Sequence, residues 1–395
     1  MVMNKKVLAL LILLWGVVSL VNAQNDSKIT IKGIVTDQTN GEPIPFANLG
    51  VVGTVAGVAS DMDGRFELIL PAHYQDKTLR VSVVGYTPYA TKVHSLEGKE
   101  EVEIVLSPVS YSVGMVDVYG ESLVCQKILK MAVEHIGKNY TQHPYNYEGY
   151  FNYTRAEDGT EVNSKDAIVL LYDRKGYRRS DVKTAFQDVN YRFSQVRRSP
   201  ETGSVFDGMN YFDDIVTADV VKNTRNILDI SNLKDYKLKN KGRLLYENDS
   251  VQVIGYEAVK PTISTTGEAA VSRYSGEIYI NMKDYAVLKN VVHISAKDFN
   301  ALGRNLLSME GKKKDRVELT LTTNYKELNG TYFLSGINIR YTYREEGKEK
   351  EGKMQYVTTR LALKNPQAVQ GRMYYEELKT DPAFWDNYTV YFQGE

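Results

Sequence analysis

His94 and Glu97 stand three residues apart, the His-x-x-Glu spacing with which a zinc peptidase offers an imidazole and a carboxylate to its metal. A working site also needs a second imidazole, an open coordination position and a further Glu as base. The other histidines, His73, His135, His143 and His293, fall in no paired motif, and His-Glu-x-x-His is absent. His94 also closes an alternating apolar segment, where a strand end is expected, so the spacing reads as coincidence. Asp61 and Asp63 invite a calcium reading, but a helix-loop-helix calcium loop needs a third oxygen ligand and a closing Glu. Arg65 and Phe66 follow instead, and turn chemistry is the expectation. Cys125 is the one cysteine and has no internal disulfide partner. It lies in a predicted helix without a His or basic cluster beside it, which describes a buried, inert thiol. Nucleophile elbows, phosphate loops and dinucleotide glycine motifs are missing. Asp213-Asp214, Glu345-Glu346 and Glu376-Glu377 read as solvated pairs; two carboxylates set across a glycosidase cleft would leave no local signature. The expectation is a protein with no catalytic centre, metal or cofactor.

The elements around these residues say more. Ile29, Ile31, Gly33 and Val35 alternate with polar Thr30 and Lys32, as a half-buried strand requires. The period returns in Ala47-Leu49-Val51, Phe66-Leu68-Leu70, Leu79-Val81-Val83 and Val102-Ile104-Leu106. Between these runs stand turn residues: Asn40-Gly41 with Pro43, Asp63-Gly64, Gly85 and Gly98. Short strands at this spacing predict an antiparallel sandwich. The phrases Ile29 to Asp37, Asn40 to Asn48, Ser60 to Phe66 and Leu79 to Tyr86 resemble the carboxypeptidase-regulatory-like domain. That resemblance implies a seven-stranded sandwich of transthyretin or immunoglobulin kind and names a scaffold, not a reaction. Such domains precede many envelope proteins of the Bacteroidetes, including TonB-linked receptors.

The first residues set a compartment. Lys5-Lys6 precede an apolar run from Val7 to Leu20, and Val21-Asn22-Ala23 offers small residues for cleavage, so residues 1–23 read as a secretory signal peptide. No later stretch approaches the roughly 20 apolar residues of a spanning helix. The chain carries 49 basic and 49 acidic residues, and this balance points to no nucleic-acid partner. An exported protein, periplasmic or associated with the outer membrane of a Gram-negative bacterium, is expected.

Residues 24–107 would form the sandwich, 108–121 a linker and 122–395 a second domain. Leu123, Ile128, Leu129, Ala132, Val133 and Ile136 make a helical stripe ending at Gly137, and His143-Pro144 forbids continuation. Strands follow: from Tyr145 to Tyr153, then Val251–Val259, Tyr274–Ile280, Val287–Ile294, Val317–Tyr325, Ile337–Tyr343 and Met354–Leu363. The last six read as successive hairpins, and 205–232 as short helices and loops laid across the sheet. The fold class is mainly β, a sandwich followed by an α+β domain with one helix and a large, curved antiparallel sheet.

The chain holds 29 tyrosines. Tyr suits sugar stacking and wet interfaces, and it is also a good strand former on a half-exposed sheet. Tyr145, Tyr147, Tyr153, Tyr341, Tyr343 and Trp385 form the candidate surface for an envelope protein, glycan or lipid partner. The tail, Phe384-Trp385 with Tyr388, Tyr391 and Phe392, would cap a sheet edge or face a partner. Arg178-Arg179, Arg197-Arg198 and Lys312-Lys313-Lys314 read as exposed loops, the last as a contact for lipid phosphate if the protein rests on the outer membrane. Asp249-Ser250-Val251 fits a short O-glycosylation acceptor pattern at a turn. The functional expectation is a non-enzymatic binding or scaffolding module on the periplasmic side of the outer membrane. Two alternatives stay open. The second domain loosely resembles periplasmic lipoprotein carriers, which implies an apolar cavity for acyl chains; or its strands close into an outer-membrane barrel.

Overall fold

The computed structural model describes residues 28–54, 56–109, 118–181, 185–199, 212–267, 271–296, 315–370, 373–375, 381–388 and 390. The leader, Lys312 to Lys314, Glu376-Glu377, Tyr391 and Phe392 lie outside these residues.

Seven short strands open the chain: β1 (Lys28–Asp37), β2 (Asn48–Val51), β3 (Gly57–Ala59), β4 (Arg65–Pro71), β5 (Thr78–Ser82), β6 (Tyr89–Lys92) and β7 (Val102–Leu106). They form two sheets, β4-β1-β7 and β3-β2-β5-β6. The alternation read from the sequence is the alternation of burial: Ile29, Ile31, Leu68, Leu70, Leu79, Val81, Ile104 and Leu106 all pack into one core. One pair departs from the antiparallel expectation. β7 runs parallel to β1, with Gly33 opposite Val102, because the chain reaches β7 by crossing over from the other sheet and not through a hairpin. A Cβ on Gly33 would lie 2.1 Å from the Val102 carbonyl oxygen, so this pairing depends on glycine. The Asp61 turn is held by its own side chain, whose Oδ1 accepts from the amides of Asp63 (2.9 Å) and Arg65 (2.7 Å).

The helix α1 (Val118–Asn139) begins four residues before Ser122, which shortens the joint. Its buried stripe is Cys125, Ile128, Leu129, Ala132 and Ile136. Ten long-paired strands then make the second domain: β8 (Tyr145–Glu157), β9 (Thr160–Asp173), β10 (Val189–Ser199), β11 (Tyr236–Tyr246), β12 (Asp249–Ala258), β13 (Val271–Asn281), β14 (Val287–Ala296), β15 (Asp315–Leu328), β16 (Thr331–Glu345) and β17 (Lys348–Ala362). With β18 (Met373–Tyr375) they form an eleven-stranded sheet in the order β11-β12-β13-β14-β15-β16-β17-β8-β9-β10-β18. The meander from β11 to β17 is the expected hairpin series, extended by one strand. β17 then returns to β8, with Met354 opposite Tyr153, and β18 joins β10 in parallel.

Hairpin chemistry sets the register. Asp158-Gly159, Glu247-Asn248, Asn329-Gly330 and Glu346-Gly347 each place two successive residues at positive φ, between 49° and 81°. Paired left-handed residues make the turn whose twist matches that of the strands. Among the described residues the sheet is open between its edges, β11 and β18. That corrects the barrel alternative, because a spanning barrel must close to satisfy its edge amides. No helix among these residues is long and apolar enough to cross a membrane.

α1 crosses one face of the sheet, called here the inner face. At its end the Tyr140 hydroxyl donates to the Val287 carbonyl (3.0 Å) and Asn139 Nδ2 to the Asp284 carbonyl (2.9 Å). The helix α2 (Phe212–Ala218), buried along its whole length, and a 3-10 turn (Ile230–Asp235) complete the cover. The sandwich docks against the outer face.

Candidate functional site

The inner face receives most of the expected surface residues. Tyr145, Tyr147, Tyr153, Tyr341 and Tyr343 are all between 2 and 6% exposed and belong to the central core. They offer no surface to a partner, which corrects the expectation for these five. The Tyr145 hydroxyl donates to Asp173 Oδ2 (3.3 Å), and Tyr147 and Tyr177 share a hydrogen bond of 3.0 Å. Tyr325 donates to Asp219 Oδ1 at 2.6 Å. Tyr341 and Tyr343 lie nearly parallel, centroids 6.1 Å apart. Burial pushes the phenols of Tyr140, Tyr145, Tyr177 and Tyr325 well above their ordinary range.

Polar groups thought to be solvated also turn inward. Asp213 accepts from the Tyr191 hydroxyl at 2.9 Å, and Asp214 is fully buried. Arg179 donates to the Leu228 carbonyl (2.6 Å) and so pins the covering loop, while Arg178 stays exposed. Lys222 forms a buried ion pair with Asp173 and donates to the Gly176 carbonyl at 3.0 Å. Burial pushes the Lys222 ammonium below its ordinary value, and the carboxylate against it opposes that shift. An acyl chain carried on this face would have to displace these groups. Cys125 is buried here, and burial pushes its thiol up to about 11, which makes it a poor nucleophile. His94 and Glu97 stand exposed at a 3-10 turn of the sandwich.

The outer face is different. The sandwich meets it through the Phe46 ring, which lies over Gly336. Around this contact Gln355 Nε2 donates to the Ser60 carbonyl (3.4 Å), and Lys353 pairs with Asp63 (2.7 Å). Toward β11, Arg80 pairs with Glu247 at 2.8 Å, and Lys326 Nζ donates to Asn48 Oδ1 at 2.8 Å. Clefts remain on both flanks of the seam. One, of about 310 Å³, is lined among others by Phe46, Asn48, Val84, Leu288, Asn324 and Lys326. Burial pushes the Lys326 ammonium down to about 8.

The other groove, of about 520 Å³, runs between Arg65, Glu67 and Ile69 of the sandwich, Tyr150 of the sheet, and Trp385 and Tyr388 of the tail. Trp385 is the one expected site residue that the structure brings to an accessible position. It sits on α3 (Pro382–Asn387), which starts with Pro at a position that needs no amide donor and with Asp381 capping the Ala383 amide at 2.9 Å. The Arg197 guanidinium lies 4.7 Å from the Trp385 ring, and Tyr150 meets it edge-on. The indole Nε1 is shielded from solvent and has no hydrogen-bond partner. The tail therefore packs on the sheet and forms one wall of the groove, with the sandwich as another.

Residues 31–118 are a CarboxypepD_reg-like domain. In this domain the chain is 38% identical over 92 residues to the TonB-dependent receptor SusC of Bacteroides thetaiotaomicron. The match takes in 22% of this chain and 9% of the receptor, so the chain spans only a small part of that relative. Among solved structures, a LolA superfamily protein from Nitrosomonas europaea is 11% identical, with 61% of this chain and 94% of that chain covered and a TM-score of 0.24. A DUF1329 family protein from Desulfovibrio piger is 10% identical, with 62% and 94% covered and a TM-score of 0.28. Likeness at that level decides nothing about the sheet domain. The CarboxypepD_reg-like domain contributes the Asn48, Phe46 and Arg65 walls of both clefts. No motif in the sequence singles out Lys326, Asn324 or Asn48, since the first and last of these meet from 278 positions apart.

Proposed function

We propose that the protein is a non-enzymatic binding or scaffolding module of the Gram-negative cell envelope. Its recognition surface is the seam where the CarboxypepD_reg-like domain meets the outer face of the sheet. The observation that carries this reading is the Trp385 groove. A half-buried indole with an unpaired N–H stands over mixed polar and apolar walls drawn from both domains. Concave sites with aromatic walls and a few convergent polar groups, set between domains, suit ligand or peptide contact. The match to a TonB-dependent receptor fits an envelope role, as does the apolar leader, and both support a periplasmic setting.

The test is photo-crosslinking in cells, with the crosslinker placed at Ile69 on the wall of the groove. Outer-membrane partners should be captured by the parent chain and lost in Trp385→Ala. Stability should change by only about 0.5–1 kcal/mol in that variant, the worth of one partly exposed cation–π contact. Unchanged capture in Trp385→Ala, or none in the parent, ends the proposal. Lipid recovered from organic extracts of native protein would instead favour a carrier.

A further inference from the structure

Lys326 is a cation that lines a cleft. Its ammonium donates to the Asn48 side-chain oxygen, and no carboxylate among the described residues forms an ion pair with it. Glu247, whose charge reaches it, is already held by Arg80 at 2.8 Å. Two positions back on the same strand face, Asn324 turns its Nδ2 into buried space with no hydrogen-bond partner. Both residues line the cleft of about 310 Å³ between sandwich and sheet. The remaining walls include Phe46, Val84, Leu288 and Val357.

A shielded ammonium and a shielded amide N–H are both donors, and each is costly to leave unmet. An acceptor with two oxygens and one negative charge answers them together, through charge-assisted bonds. One lysine matches a monoanion; a phosphate dianion would call for a second cation, and Arg80 is engaged elsewhere. The apolar walls ask for a short hydrocarbon body. The volume lies at the lower end of small-molecule sites, which favour domain junctions.

We propose that this cleft binds a small organic monocarboxylate, its two oxygens bridging Lys326 Nζ and Asn324 Nδ2 while its apolar part rests between Phe46 and Leu288. The site is separate from the Trp385 groove and does not depend on the role assigned to it.

Butyrate and benzoate, each against its neutral amide, are the probes, with binding to the full chain followed by calorimetry and NMR. Each acid should bind at least about tenfold more tightly than its amide, the worth of one charge-assisted hydrogen bond. Lys326→Met should bind acid and amide alike, and Asn324→Leu should weaken only the acid. Trp385→Ala should bind both acids as the parent does, so failure of one site is distinguishable from failure of the other. The acid–amide comparison uses the parent protein and holds even if a variant misfolds. Equal affinity for acid and amide, no saturable binding of either acid, or a preference that survives in Lys326→Met would each overturn the proposal.

Discussion

The two faces of the eleven-stranded sheet are made by the same strands and are finished differently. On the inner face, tyrosine hydroxyls meet partners one by one: Tyr145 with Asp173, Tyr191 with Asp213, Tyr256 with Asn290, Tyr325 with Asp219 and Tyr332 with Asp284. A few inner atoms stay unpaired, Asn290 Nδ2 and Thr323 Oγ1 among them. On the outer face, under the sandwich, neither amide atom of Asn338 has a partner although the residue is 4% exposed, and Asn324 and Lys326 border a cleft. Buried polar groups are tolerated when paired and costly when not. The inner face is therefore a covered core with most of its polar groups paired, while the seam leaves Asn324 and Lys326 beside an open cleft.

The sharpest way to break this comparison is at the inner ion pair. Replacing one partner, as in Asp173→Leu or Lys222→Met, leaves a single charge in the core and should cost about 3–5 kcal/mol in urea unfolding. The double variant, apolar on both sides, should recover most of that loss. Single variants that cost less than about 1 kcal/mol would mean that water reaches the inner face, and the contrast would vanish.

A smaller effect is expected where the sandwich touches the sheet. A Cβ at Gly336 would stand 2.4 Å from Phe46 Cε1. Gly336→Ala should therefore cost about 1–3 kcal/mol by overpacking. Phe46→Ala in the same chain should cancel much of it, giving a coupling that residues out of contact do not show. Absence of coupling would mean that the ring swings aside and the seam is loose.

These contrasts also mark what the sequence could reveal. Strands from Val251 onward were legible because alternation and hairpin turns are local: Asn329-Gly330 and Glu346-Gly347 fall where the register needs left-handed residues. The helix was legible from its stripe, and its earlier start at Val118 only lengthens it. The parallel β1–β7 pair was not, because pairing across a sandwich leaves no local mark. The error over Tyr145, Tyr147 and Tyr153 has the same root. A period of two tells which residues share a face, but not whether α1 and α2 cover it. The cover is itself disguised, since Asp213-Asp214 looks solvated and is buried. Trp385 was legible by type, and its groove came from strands and a tail far apart in the chain. Lys326 was invisible, because a lysine on a strand ordinarily points to water.

The smallest predicted effect separates a shielded Lys326 from a hydrated one. Burial brings its ammonium down to about 8 from an ordinary 10.5. Between those values the unfolded chain holds the proton and the folded chain has released it, so stability rises with pH across this window. The gain should be about 1 kcal/mol or less, since Lys326 keeps some contact with solvent. Asn48 and Asn324, its neighbours in the cleft, do not titrate, and burial pushes the phenols of Tyr246 and Tyr325 on the same walls upward. Lys289, also pushed down to about 8, contributes with the same sign. The quantity to measure is therefore the difference between parent and Lys326→Met in urea midpoint from pH 8 to 10, in which the buried phenols, acting in the opposite sense as the pH nears 10, cancel. The parent should gain more than the variant. Saturating butyrate should remove that excess, because an anion against the ammonium draws its titration back toward 10.5. Parallel slopes in parent and variant would place Lys326 in water, and the seam would then be as fully satisfied as the core behind it.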